Sequence, residues 1–177
     1  MDHAPASPKI TWRLAHAEER GIESSTVDLI TVAQALHWFD FDRYWPEVRR
    51  VLKPEGVIAA WCYGVFELDD PSIQAVCDHF HQTTVDAHWP PERSLVEEGY
   101  CSILFPFTEL PPPSFTLEVD WSMEQLLGHF ASWSATARYR QAKGHDPIPA
   151  LRQVLSLQFT QPAIRVRWPL SLLVGRM

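Results

Sequence analysis

Two adjacent stretches, residues 25–40 (STVDLITVAQALHWFD) and 49–61 (RRVLKPEGVIAAW), constrain the fold of this chain more than anything else in it. Val27–Ala33, with Leu29, Ile30 and Val32, is a nearly continuous apolar run, the pattern of a parallel strand buried on both faces. Phe41, Tyr44, Trp45, Val48, Val51 and Leu52 then recur at helical spacing, opposite Arg43, Glu47 and Arg50. Asp42 offers an N-cap, and Pro46 lies close enough to the first turn to be tolerated. Lys53-Pro54-Glu55-Gly56 has proline second and glycine fourth, which predicts a type I turn into a second apolar strand over residues 57–62. Strand, helix and strand in this order make a right-handed crossover with the strands parallel and adjacent.

The rest of the chain adds elements without adding a second domain. A length of 177 residues with 46% hydrophobic and 21% charged residues is globular and fits one domain over 1–177. Residues 1–9 read as irregular, with neither a signal nor a transit pattern. Residues 10–15 alternate and are rich in strand formers, so a strand is expected there. Asp70-Pro71 starts a helix whose Ile73, Val76, Cys77 and Phe80 share a face, and residues 88–92 interrupt it. Residues 104–113 read as irregular and 114–121 as a strand. Ser122 with Gln125 forms a capping box ahead of Leu126, Leu127, Phe130 and Trp133. Gly144 and Pro147 precede a helix over 151–159. Residues 164–174 read as a final strand, in which Pro169 predicts an edge or a bulge.

Charge and cysteines narrow the partners. A formal charge of −7 argues against nucleic acid or an anionic membrane surface, and the one basic cluster, Arg49 and Arg50, is too small for either. Cys62, Cys77 and Cys101 form no CxxC pair and read as reduced core thiols in a cytoplasmic protein. No segment approaches the roughly 20 apolar residues of a membrane span.

Several segments in order resemble class I S-adenosylmethionine-dependent methyltransferases of the small-molecule type related to trans-aconitate methyltransferase. Residues 15–18 (AHAE) resemble the end of that family's third strand, and residues 27–35 its fourth strand and loop. His37-Trp38-Phe39 matches an "ALHWF" segment, and residues 50–56 (RVLKPEG) an "RVLKPGG" segment in which Glu55 replaces the first glycine. Residues 133–139 (WSATARY) look like a "TWSAVRRY" stretch of the substrate-side cover. The resemblance implies an α/β, Rossmann-like sheet of order 3-2-1-4-5-7-6 with helices on both faces. Residues 10–62 would hold the remaining cofactor-side strands and the crossover, and residues 63–177 the substrate-side cover and last strands. It also implies S-adenosylmethionine as cofactor, with Ala17, Glu18, Ala33 and Gln34 facing it.

The family's glycine-rich turn after the first strand and the ribose-binding acid after the second have no counterpart here. Seven glycines are present and none stands in a GxGxG run. The expectation is a methyltransferase sheet lacking its first two strands, inactive as this chain by itself. The exposed edges would then be met by the strand at residues 10–15 sliding beside Val27–Ala33, by pairing with a second chain as a dimer, or by a longer native protein. The rival reading is a noncatalytic module that binds a metabolite or a partner subunit.

Candidate site residues follow from family position and chemistry. Gln34 and His37 fall just past the carboxyl end of a parallel strand, where open α/β sheets bind ligands. His37, with an ordinary pKa of about 6.5, could take a proton from a small-molecule methyl acceptor. Transfer to a carboxylate acceptor would need alignment alone. Trp38, Trp133 and Tyr139 could wall the acceptor pocket and Arg138 could pair with a carboxylate; the alternatives are core aromatics and a solvated arginine. Cys77, His79, His81 and His88 lack metal-ligand spacing, so no metal is expected. Ser24, Ser25 and Ser134 lack a GxSxG turn, so no hydrolase is expected.

Overall fold

A computed structural model describes residues 7–19 and 21–177. The crossover forms as its pattern requires. Strand β1 (Val27–Ala33) leads through a 3-10 turn at Leu36–Trp38 into helix α1 (Phe41–Val51) and strand β2 (Leu52–Tyr63), which runs parallel to β1. The N-cap lies two residues earlier than expected. Asp40, not Asp42, is the N-cap, and its carboxylate accepts from the Asp42 backbone N–H at 3.2 Å. Both aspartates suit the role, but Asp40 is the residue with extended backbone.

The turn at residues 53–56 also differs from expectation. Glu55 has φ +65°, which belongs to the third position of a type II turn rather than a type I turn. Gly56 is required for a separate reason: a Cβ there would lie 2.9 Å from the Lys53 carbonyl oxygen. Glu55 therefore carries left-handed strain that glycine would not, and its side chain makes only an exposed 3.5 Å pair with Arg176. Glu55→Gly is expected to stabilise the fold by about 0.5–1 kcal/mol, the relieved strain exceeding the added chain entropy. Thermal unfolding checks this, and an unchanged or lowered midpoint would contradict it.

The remaining strands and α-helices are β3 (Glu67–Leu68), α2 (Pro71–His79), α3 (Arg93–Glu97), β4 (Thr108–Glu109), β5 (Phe115–Trp121), α4 (Met123–Ser132), α5 (Ser134–Lys143), α6 (Ile148–Ser156) and β6 (Ile164–Arg176), with a π-helical turn at Phe80–Thr84 and a 3-10 turn at Asp86–His88 after α2. Asp70 caps α2 through the Ser72 and Ile73 N–H groups, and the Ser122–Gln125 capping box closes on α4. Strand β6 runs antiparallel to β2 on one side and to β5 on the other. The spatial order β1-β2-β6-β5 is the 4-5-7-6 half of the order that the resemblance implies.

Pro169 is in an interior strand, not at an edge. Pairing on the β2 side jumps from Tyr63↔Leu170 to Glu67↔Arg167, so three residues of one strand face two of the other. Proline sits at this bulge, where a missing N–H breaks no regular ladder.

Alternation along the strands sorts two cores onto the two faces. Ile30, Val32, Ile58, Ala60 and Cys62 pack against Tyr44, Trp45, Val48 and Val51 of α1 and against Val96 and Tyr100. On the opposite face, Ile164, Val166 and Trp168 pack against Ile73, Leu126, Phe130, Leu151 and Leu155 from α2, α4 and α6. The same face of β1 and β2 carries Leu29, Thr31 and Ala33, all exposed, and no described helix covers it.

Residues 10–15 do not form a strand. Ile10, Trp12 and Leu14 are exposed, and the segment makes no ladder with Val27–Ala33. Strand propensity without a partner to complete the ladder does not hold a strand in water. Of the stretch expected to be irregular, residues 7–9 have no helix or strand and residues 1–6 lie outside the described residues. Cys62 and Cys77 are buried as expected, whereas Cys101 is exposed and not a core thiol. No described helix is long and apolar enough to cross a membrane.

Candidate functional site

A cavity of about 350 Å³ opens at the carboxyl ends of β1 and β2. The loop after β1 gives it Gln34, His37 and Trp38, the end of β2 gives Tyr63, the segment before α3 gives Trp89, and Arg93 comes from the first position of α3. The α4–α5 junction closes it with His129, Ser132, Trp133 and Ser134. The volume lies in the range of small-molecule sites, and the place is where open α/β sheets bind ligands.

Gln34 fixes the loop that carries the other two residues. It sits at φ +51°, its backbone N–H donates to the Trp61 carbonyl at 2.9 Å, and its side-chain amide pairs both ways with the Tyr63 backbone. The side chain thus extends the β1–β2 ladder past the end of β1 and holds the turn that presents His37.

His37 is buried, and its Nδ1 shares a 3.0 Å hydrogen bond with the Tyr100 hydroxyl. Burial, and then the Arg93 charge, holds the imidazole below its ordinary pKa. Burial likewise raises the Tyr100 hydroxyl well above the usual range. Both groups are neutral at pH 7, so His37 keeps one nitrogen lone pair.

Two further imidazoles are in the same state, His129 on the cavity and His81 behind its tryptophan wall. Burial pushes His129 down to about 4, with Arg93 adding to the effect, and its Nε2 accepts from the Trp133 indole N–H at 3.2 Å. His81, also depressed by burial and by Arg93, packs against Trp89 and Trp133 at ring-centroid distances of 5.3 and 5.6 Å. His79, two residues earlier, is exposed on another flank. The thiols of Cys62 and Cys77, raised by burial to about 11 and about 12, stay protonated and unreactive.

Four of the residues singled out in the sequence therefore meet at one cavity: Gln34, His37, Trp38 and Trp133. Arg138 does not join them; it is exposed on α5. Tyr139 does not either; it packs against His88 and His145 beside a different groove, between α2 and α6. Ala33 lies exposed at the end of β1. Ala17 and Glu18 occupy a tight turn closed by a His16–Glu19 bridge, Ala17 packed on the first core. Backbone N–H groups, its own first and then that of Asp40 at 3.1 Å, hold the Glu18 carboxyl below the usual range. Tyr63, Trp89, Arg93, His129 and Ser132 also line the cavity, and none of the sequence patterns above marks them.

Comparison with known proteins fits this architecture. Residues 2–60 match the family described as "Methyltransferase domain". A solved structure from Anaeromyxobacter dehalogenans, designated a type II methyltransferase, is 39% identical, with a TM-score of 0.88 over 99% of this chain and 75% of that one. A Dictyostelium discoideum protein designated a methyltransferase is 31% identical over 157 residues, 88% of this chain and 60% of its own length. An uncharacterized methyltransferase of Mycobacterium tuberculosis is 47% identical over 51 residues, 29% of this chain and 21% of its own length. The chain belongs to the class I S-adenosylmethionine-dependent methyltransferases. It spans 60% of the length of the Dictyostelium relative.

Proposed function

We propose that this chain forms the acceptor side of an S-adenosylmethionine-dependent methyltransferase that modifies a small molecule. The observation that supports this most is the convergence of Gln34, His37 and Trp38 with Trp89 and Trp133 around one cavity at the carboxyl ends of a parallel strand pair. Membership in the family supplies the reaction class, and the cavity supplies a place for the acceptor.

The residues fit the cofactor in part. Ala33, small and exposed at the end of the open edge strand, leaves room beside the acceptor cavity, and Ala17 with Glu18 would flank the adenine side. The glycine-rich turn that grips the rest of the cofactor is not among these 177 residues. When bound, S-adenosylmethionine supplies a methyl group on a sulfonium, and this chain's work is to place the acceptor in line with it. Trp38, Trp89 and Trp133 exclude water from the acceptor, Gln34 holds the loop in place, and the neutral His37 takes the proton of a hydroxyl or amine acceptor.

Thermal unfolding followed by tryptophan fluorescence, with and without excess S-adenosylmethionine, tests the proposal. The expected result is a higher midpoint with the cofactor, since a ligand at a hundred times its Kd adds about 2.7 kcal/mol. A cooperative transition that the cofactor does not move would favour the noncatalytic metabolite-binding module instead.

A further inference from the structure

Arg93 is the cavity residue for which the structure leaves the most unexplained. It opens α3, its side chain is 15% exposed, and it lines the wall shared with Trp38 and Trp133. Its guanidinium lies over the Trp89 ring with Cζ 4.6 Å from the centroid. Its Nε donates to Glu97 Oε1 at 3.2 Å, one helical turn on. These two contacts fix the plane of the group and account for one of its five N–H donors. The two terminal nitrogens have no hydrogen-bond partner among the described residues. A cation largely withdrawn from water with its donors unused is costly, and such groups are paired or await a pairing ligand.

The surroundings of Arg93 define what that ligand must be. His37 and His129 are held neutral, so Arg93 is the single positive charge that the described residues place on the cavity. Its partner Glu97 is about half exposed and compensates it weakly. The charge available suits one negative charge; a phosphate dianion would bring a second with nothing to meet it. The walls are indole rings, which favour a flat body.

We infer that Arg93 is the specificity-determining residue of the cavity, recognising through its two terminal nitrogens a carboxylate on a flat, ring-sized or conjugated acceptor that the tryptophans enclose. A carboxylate matches the fork of a guanidinium in geometry and charge. Glu97 is a positioning residue, because it holds the fork facing the cavity. The inference rests on the reading of the cavity as the acceptor site.

Benzoate and its neutral isostere benzamide test the inference directly on the whole chain in the absence of cofactor, with binding read from the tryptophan indole NMR signals. Benzoate is expected to bind about 10-fold or more tightly than benzamide, with Trp89 and Trp133 shifting most. Arg93→Gln should erase that preference, and Arg93→Lys, which keeps the charge and loses the fork, should retain part of it. Equal binding of the two probes to the unmodified chain overturns the inference without any variant. So does binding of neither probe at millimolar concentration, tighter binding of phenethylammonium than of benzoate, or a benzoate preference that survives Arg93→Gln. The cofactor titration above fails or succeeds separately: selectivity for benzoate with no response to S-adenosylmethionine would remove the methyltransferase reading and leave the carboxylate site standing.

Discussion

Phe130→Ala is expected to lower the folding free energy by about 3–5 kcal/mol, the cost of deleting a fully buried aromatic side chain and leaving its cavity. Phe130 is 0% exposed on α4, and its ring meets Phe66, Phe80 and Trp133 at centroid distances of 5.7, 5.1 and 4.7 Å. Those partners come from the loop after β2, from the turn that follows α2 and from the α4–α5 junction. The ring therefore joins these three segments. Trp133 is also a wall of the cavity, so the variant should lose ligand response along with stability. Urea unfolding gives the measurement, with Phe115→Ala as the control: Phe115 is 52% exposed on β5 and should cost well under 1 kcal/mol. A loss below 1 kcal/mol for Phe130→Ala would mean that the second core is not packed as described.

Acid should weaken the protein well before its carboxylates titrate. Burial holds His129 near a pKa of about 4, while the unfolded chain titrates the same side chain near 6.5. Between these values the unfolded state binds a proton that the folded state refuses, so stability rises with pH across the window and falls on acidification. The contribution is intact above pH 6.5 and is lost progressively as the pH drops through about 4, to a total of about 3 kcal/mol. His37 and His81, also depressed by burial, act in the same direction. Asp69, Asp120 and Glu124 have lowered pKa values from pairing with Arg167, Arg165 and Arg152, so they lose their contribution only below the ordinary carboxylate range. They are exposed and add little. His129→Gln keeps an acceptor for the Trp133 indole and removes the titration. It should flatten the stability curve between pH 6.5 and 4, as read by denaturant unfolding at a series of pH values. An equally steep curve in the variant would assign the acid sensitivity to other groups.

How much of this was legible depended on whether a signal was local. The β1–α1–β2 crossover, the Asp70 cap of α2 and the Ser122 capping box are written in residues within a few positions of one another, and all of them form. Residues 10–15 carried an equally good strand pattern and did not form a strand, because a ladder partner is a property of the sheet and not of the segment. Asp40 and Asp42 present the same chemistry two positions apart, so composition could not choose between them. The turn at Glu55 departs from the expected type because proline second and glycine fourth suit type I, while the sign of φ at the third residue decides the type.

The site was legible where it follows β1 and at Trp133, in the stretch that resembles the family's substrate-side cover, and illegible at Trp89, Arg93 and His129. Gln34, His37 and Trp38 lie in one loop whose position is set by the strand before it. Arg93 reaches them from more than fifty residues away, through packing that no periodicity reports. One local signal could have found it. An arginine in the first turn of a helix, followed by Glu97 at i+4, opposes the helix dipole, and a residue that breaks a local rule is a candidate for function. Arg138 drew attention because it carries the right chemistry in a segment with family resemblance, yet α5 turns it to solvent.

The central claim is that cofactor and acceptor meet at the carboxyl end of β1, and the 15N indole spectrum of the chain tests it most directly. The eight tryptophans give eight reporters, assigned by substitution, distributed over the whole molecule. On addition of S-adenosylmethionine in excess, the account predicts that Trp38 moves first and furthest, with Trp89 and Trp133 following, while Trp45, buried against Phe105 and Phe107, stays in place. A spectrum in which no indole moves, or in which the response is confined to residues remote from Gln34 and His37, would contradict it.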